Sequence, residues 1–166
     1  MLHPAVAHFA IALPIISLVL GLLYLFKPTE IMSKISSRFL SFAAIFVVLA
    51  YFTGKNDAKE VIEFLSSDAK AQLIQHAQLG LYLALSMTLI ALIKMFACYK
   101  RAFKVEILAI LLLAALTAAT FYQGKMGGEL TYTYGTHVKG YAEGQTCIAE
   151  AKEMEEDEDE DEEEEE

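Results

Sequence analysis

Cysteine, proline and tryptophan are scarce in this 166-residue chain, which has two cysteines, three prolines and no tryptophan. Two cysteines are too few for a disulfide-rich scaffold, and the absence of a Cys-x-x-Cys-His run excludes covalent c-type haem. The chain also has no phosphate-binding loop, no recognisable Ser-His-Asp arrangement and no paired carboxylates within an apolar run. The sequence therefore favours an electron-transfer or binding protein over a catalyst.

The net charge of −9 comes from one end of the chain. Residues 150–166 hold fourteen acids and one base, whereas residues 1–149 hold twelve bases and eight acids, a net charge of +4. A run of like charges repels itself, so residues 146–166 are predicted to form a disordered acidic tail. The tail is either a solvating appendage or a steering surface for a basic partner, such as a periplasmic cytochrome. Nucleic acid is excluded as a partner, because the body has no strongly basic patch.

Long apolar runs dominate the remaining chain. Three of them contain 18 to 22 residues, enough for a helix to cross a hydrocarbon core of about 30 Å, and a fourth contains fourteen. Lys94, near the end of the third long helix, is expected to snorkel to the interface. The sequence thus predicts an all-α, four-helix transmembrane bundle in residues 1–145. The predicted helices span about residues 4–26, 36–53, 76–98 and 105–123.

Lysines and arginines suggest how the bundle is oriented. Seven lie in or beside the two short connections on one side, and five lie before the acidic tail on the side that carries both termini. The positive-inside rule then places the termini outside. We expect a multi-pass protein of the bacterial inner membrane with both termini in the periplasm.

All four histidines map to the side of the membrane that carries the termini. These are His3, His8, His76 and His137. His8 lies about four residues inside an apolar span, where a polar side chain usually faces the bundle or a cavity and marks a functional site. Interfacial histidines that merely bind headgroups or loop carbonyls are the alternative.

Two imidazoles from different helices at one depth are typical of a b-type haem site. His8 and His76 are predicted to be this pair, because His3 lies five residues from His8, about 140° around a helix, and cannot share its face. Small residues one turn away, Ala12 and Gly80, leave room for a porphyrin. Further polar side chains at this end are candidates for propionate or ring N–H partners: Gln72, Lys125, Tyr132, Tyr134 and Lys139.

Two other interpretations remain open. His3, His8 and His76, with Asp57 or Glu129, are a possible set of ligands for a transition metal ion. No His-x-x-x-His or Glu-x-x-His spacing supports that set. In the other interpretation the histidines only satisfy backbone groups where helices meet the interface, and the protein is structural or binds partners, including a second copy of itself.

Two segments resemble the signatures of a known family. Residues 3–12 read His-Pro-Ala-Val-Ala-His-Phe-Ala-Ile-Ala, and residues 127–135 read Gly-Gly-Glu-Leu-Thr-Tyr-Thr-Tyr-Gly. Together with a histidine at the start of the third helix, they resemble the uncharacterised bacterial membrane family known as domain of unknown function 2231, over roughly residues 1–140.

The resemblance implies a four-span bundle whose second signature follows the last helix. Fusions of such domains to Rieske and cytochrome modules imply a redox role by association. This chain departs from the family pattern at Ala10, where proline is usual. Tyr134 holds the place before Gly135 where relatives have histidine or tyrosine, so His137 is displaced from it.

Overall fold

The computed structural model describes residues 2–136, which form four α-helices joined by short connections. A single 3₁₀ turn at Ile62–Phe64 separates the second helix from the third. The prediction of an all-α, four-helix chain is confirmed, and every helix is long and apolar enough to cross a membrane. In chain order the helices are α1 (His3–Phe26), α2 (Glu30–Val61), α3 (Ser67–Lys100) and α4 (Phe103–Tyr132).

All four helices are longer than the apolar runs that predicted them, α1 by only two residues and the other three by twelve or more. The α2 helix begins after Thr29, whose hydroxyl accepts a hydrogen bond from the Met32 N–H, and α3 begins after Ser66, which caps Ala69 in the same way. These polar first turns carry no hydropathy signal, so the sequence prediction began both helices too late. The second signature was expected after the last helix, but Gly127 and Gly128 lie inside α4.

Each helix packs against two others, in the pairs α1–α2, α2–α3, α3–α4 and α1–α4. The helices therefore occupy the corners of a square, with α1 diagonally opposite α3. Seven of the fifteen residues in the central core cluster are alanine. Small side chains let helix backbones approach closely, which is how helices associate in a bilayer.

The surface of the bundle is apolar and its interior contains polar groups. Large side chains such as Phe42, Leu89 and Leu111 are exposed, whereas Ser17, Lys94 and Glu106 are buried. A soluble bundle has the opposite distribution. This distribution fits a protein surrounded by lipid.

The antiparallel helices bring two sets of polar side chains to opposite ends of the bundle. We call the end with His3, Thr53, His76 and Gln123 the histidine end, and the end with Tyr24, Ser33, Lys94 and Glu106 the lysine end. At the lysine end, Arg101 adopts a left-handed conformation with φ of 53° and ends α3. The next N–H, of Ala102, donates to the Ala97 carbonyl at 2.9 Å, so the chain reverses within two residues and enters α4.

Candidate functional site

His3 points from α1 toward α2. Its Nδ1 lies 3.2 Å from the hydroxyl oxygen of Thr53. A β-carbon on the neighbouring Gly54 would come within 2.8 Å of the His3 Cε1, closer than carbon atoms can approach. Glycine at position 54 therefore provides the space that the imidazole occupies.

His76 points from α3 toward α4. The Gln123 side-chain nitrogen lies 3.2 Å from the His76 Nε2 and donates to the His76 carbonyl oxygen at 2.9 Å. A β-carbon on Gly127 would lie 3.3 Å from the His76 Cε1, so a second glycine makes room for this ring. Within residues 2–136, the buried His76 Nδ1 and the buried Gln123 Oε1 have no hydrogen-bond partner.

The two imidazoles come from diagonally opposite helices and lie at the same end of the bundle. His3 and His76 are close enough to interact electrostatically. The structure thus brings together His3 and His76, where the sequence predicted His8 and His76.

His8 does not face the bundle, and that part of the sequence prediction is wrong. Its ring is exposed, and its Nδ1 lies 2.6 Å from the carbonyl oxygen of Pro4 on the same helix. The reason is the helical period: five residues rotate a side chain by about 140°, so turning His3 inward turns His8 outward. The five-residue spacing already indicated that only one of the two histidines can face the bundle, whereas depth in the apolar run gives no information on helix rotation.

Other predicted site residues lie at the same end of the bundle without completing a metal site. A β-carbon on Gly80 would lie 3.2 Å from the Gln123 amide nitrogen, so this glycine accommodates the glutamine. Gln72 donates to Glu129 Oε2 at 2.9 Å, and Lys125 lies 3.5 Å from Glu129 Oε1. Gln72 on α3 and Lys125 on α4, which were predicted to bind the haem propionates or the ring N–H groups, thus both contact Glu129.

Two of the remaining candidates lie near the end of the described chain. Tyr132 is 89% exposed and Tyr134 is half-buried. His137, Lys139 and the predicted tail at 146–166 lie outside the described residues. Across residues 2–136, no three His, Cys, Asp or Glu side chains are grouped to hold a metal ion. The predicted metal trio of His3, His8 and His76 is therefore not assembled, because His8 faces outward.

The lysine end contains a polar cluster in which all four helices take part. The Tyr24 hydroxyl donates to Glu106 Oε1 at 2.9 Å, and the Ser33 hydroxyl lies 3.0 and 2.8 Å from the two carboxylate oxygens. Lys94 forms an ion pair with Glu106 Oε2, and its ammonium lies 4.4 Å from the centroid of the Tyr24 ring. Lys94 is 1% exposed and Glu106 is 2% exposed. This is a buried ion pair with a full set of hydrogen-bond donors.

The expectation that Lys94 snorkels is wrong, because the Glu106 carboxylate and the Tyr24 ring bind its ammonium inside the bundle. A sequence signal for this pair exists. The two residues have opposite charges and lie at similar distances from the short α3–α4 connection, so an antiparallel hairpin places them at one depth. Hydropathy alone treated each one as the edge of its own span.

Comparison with known proteins identifies the family of the chain and leaves its chemistry open. No curated protein and no solved structure matches it. A family model described as a predicted membrane protein, DUF2231, matches residues 1–140. This match includes all four helices and both groups of buried polar side chains, and the chain belongs to the DUF2231 family of predicted membrane proteins.

Proposed function

We propose that this protein is a membrane-bound redox protein that binds haem b at the histidine end, with His3 and His76 as the iron ligands. When bound, the haem would take up and release one electron at a time. The observation that carries the proposal is that two imidazoles from diagonal helices lie at one end of the bundle, each packed against a glycine of a neighbouring helix, and that His76 has a buried ring nitrogen with no partner among residues 2–136.

The surroundings of His76 suit a ligand of a metal. A metal-bound imidazole uses one nitrogen for the metal and the other for a hydrogen-bonding partner that fixes the ring. In His76 the Nε2 lies against the Gln123 amide and the Nδ1 is buried and unpartnered in the described chain. Gly127 packs against the same ring, so the imidazole is held from two sides.

The number of available ligands favours haem over a bare metal ion. A porphyrin supplies four of the six iron ligands, so the protein needs only two, and His3 and His76 suffice. A zinc or non-haem iron site needs three or four protein ligands. Such a site would require an additional ligand from outside residues 2–136, because the described residues hold no group of three.

Charge distribution supports an orientation with the histidine end outside. The excess of lysine and arginine beside the lysine end favours the cytoplasm for that end. The haem would then lie near the periplasmic surface of the inner membrane. The acidic tail would start from the same side and attract a basic electron-transfer partner.

The test is the absorption spectrum of the full chain purified in detergent. We expect a Soret band that shifts on reduction with dithionite and is lost in both His3→Ala and His76→Ala. His8→Ala is the matched control, because His8 lies on the same helix as His3 but faces outward, and this variant should keep the band.

Other outcomes separate the competing functions. Bound transition metal without a Soret band, lost in the same two variants, would support a non-haem metal site. A band lost in His8→Ala and kept in His3→Ala would contradict the ligand pair. Absence of both haem and metal from protein made with haem supply in excess would overturn the proposal and leave a structural or partner-binding role.

A further inference from the structure

A cavity of about 280 Å³ lies beside the buried ion pair at the lysine end. Tyr24, Ser33 and Glu106 line it, and these are the side chains that form the polar cluster. The Glu106 carboxylate is thus shielded from bulk solvent by the bundle but borders a space large enough for several water molecules.

Charged side chains at the surface line the same cavity. Glu30 and Arg101 form an ion pair with 2.7 Å between Oε2 and Nη2, and their side chains are 50% and 75% exposed. Their opposite charges leave no net charge at the opening. Because the lining extends from these exposed side chains to the buried Glu106, the cavity connects solvent at the lysine end with the interior of the bundle. The Glu106 carboxylate lies at its inner end.

Structural stability is a weak explanation for a charged pair at this depth. Removing two ions from water costs several kcal/mol per ion, and their attraction rarely exceeds that cost by much. Ionisable residues within membrane spans instead mark ion or proton pathways in many proteins. Here the Glu106 carboxylate accepts from Tyr24 and Ser33, is paired with Lys94, and borders a cavity that leads to water.

We propose that Glu106 is a proton-binding site that is reached from the lysine end through this cavity, with Lys94 as its counter-ion. A hydronium ion in the cavity transfers its proton to the carboxylate, which becomes a neutral carboxyl group, and a water molecule remains. The reverse step returns the proton to the same water-filled space. This proposal is independent of any cofactor at the histidine end.

Groups from each of the other three helices face the proposed proton acceptor on α4. The α1 helix contributes the Tyr24 hydroxyl, α2 the Ser33 hydroxyl, and α3 the Lys94 ammonium. The Cys98 thiol also lines the cavity. Protonation of Glu106 removes the counter-ion of Lys94, and the face of the Tyr24 ring, whose centroid lies 4.4 Å from the ammonium in this structure, then offsets part of that loss.

Infrared difference spectroscopy of the full chain in proteoliposomes tests proton binding. Subtracting the acid-induced spectrum of Glu106→Gln from that of the wild type removes the signal of the acidic tail. We expect a single protonated-carboxyl band to remain. The same subtraction with Glu30→Gln, the exposed carboxylate at the opening, should leave a band at the different frequency of a water-exposed group.

The two controls make the spectrum decisive. Glu106→Asp should keep a carboxyl band at a changed frequency, which also covers the case in which Glu106→Gln fails to fold. The proposal is wrong if neither the wild type nor Glu106→Asp shows this protonated-carboxyl band at any pH at which the protein stays helical. Glu106 would then not bind a proton.

Access to the cavity is tested separately with Cys98. In a Cys147→Ser background, a membrane-impermeant maleimide should label Cys98 from the lysine end of oriented proteoliposomes and not from the histidine end. Blocking of the label by bulky Ser33→Phe would confirm that the reagent enters through the cavity. Labelling from the histidine end, or from neither end, would contradict the proposed route.

Discussion

Lys94 and Glu106 form a buried ion pair across the α3–α4 interface although only twelve positions separate them in the chain. The left-handed Arg101 reverses the chain between them and sets the register of the hairpin. Tyr24 and Ser33 then link the same carboxylate to α1 and α2. The Glu106 carboxylate of α4 thus contacts side chains from the other three helices at the lysine end.

Loss of either member of this pair should be strongly destabilising. We expect Lys94→Met and Glu106→Gln each to lower the free energy of unfolding by about 3–5 kcal/mol, because each leaves a buried polar group without its partner. The double variant should lose much less than the sum of the single losses. Unfolding of detergent-solubilised protein, followed by circular dichroism, measures all three.

The exposed pair of Lys34 and Glu30 is the control for that series. Its nitrogen and oxygen lie 2.7 Å apart, but about half of each side chain is in solvent. Lys34→Met should therefore change stability by no more than about 1 kcal/mol. Additive effects of Lys94→Met and Glu106→Gln would contradict the coupling inferred from the structure.

Tyr24→Phe separates the hydrogen bond to Glu106 from the contact between the ring and Lys94. The variant keeps the aromatic face below the ammonium and removes only the hydroxyl donor. Hydrogen bonds to charged groups contribute about 1.5–3 kcal/mol, and we expect a loss of stability in that range. Tyr82→Phe, at a side chain that is 64% exposed, should have no measurable effect in the same assay.

Two adjacent glycines of α4 should respond differently to alanine. At Gly127 a β-carbon would lie 3.3 Å from the His76 ring, whereas at Gly128 the nearest atom is 4.0 Å away. Gly128→Ala should be neutral or stabilise α4 by up to about 1 kcal/mol, since alanine favours helix. Gly127→Ala should displace the imidazole, which would be measured as a shift of the His76 ring signals in NMR spectra of histidine-labelled protein. Equal effects of both substitutions would show that the packing of His76 does not depend on Gly127.

Deletion of residues 153–166 should separate cofactor binding from partner binding. We expect the shortened protein to retain the whole Soret absorbance, because the proposed ligands are His3 and His76. Its association with a basic cytochrome should slow and lose its steep dependence on salt, since the deletion removes most of the negative charge. Surface plasmon resonance over a range of ionic strengths measures the rates, and loss of haem from the shortened protein would show that the tail has a structural role.

The four spans and the clustering of polar residues at one end followed from the sequence, because apolar length and chain reversal determine both. The orientation of individual side chains did not follow. His8 was predicted to face inward from its depth, but the inward position of His3 fixes the rotation of α1 and turns His8 toward the exterior. Rotation of a helix in a bilayer depends on contacts between helices. The residues around His8 are apolar on every side, so the sequence does not indicate which face of α1 is turned toward the bundle.

The lysine end shows the same limit for pairs of residues. Lys94 and Glu106 were each predicted to mark the edge of a span, because the hydropathy of a single helix does not include an ion pair with a residue on the next helix. The register of the α3–α4 hairpin, set by the conformation of Arg101, is what places them together. Their opposite charges and similar distances from the short α3–α4 connection indicated a common depth, but the register itself depends on the turn geometry, and a non-glycine residue such as Arg101 does not announce a left-handed conformation.

The position of the ion pair beside the α3–α4 turn also constrains biosynthesis. If either helix left the translocon alone, it would carry an uncompensated charge into the hydrocarbon region. Released together as a hairpin, the two segments already contain both charges at matching depth, so that lipid meets a neutral pair. The second half of this protein should accordingly partition into the bilayer as one unit.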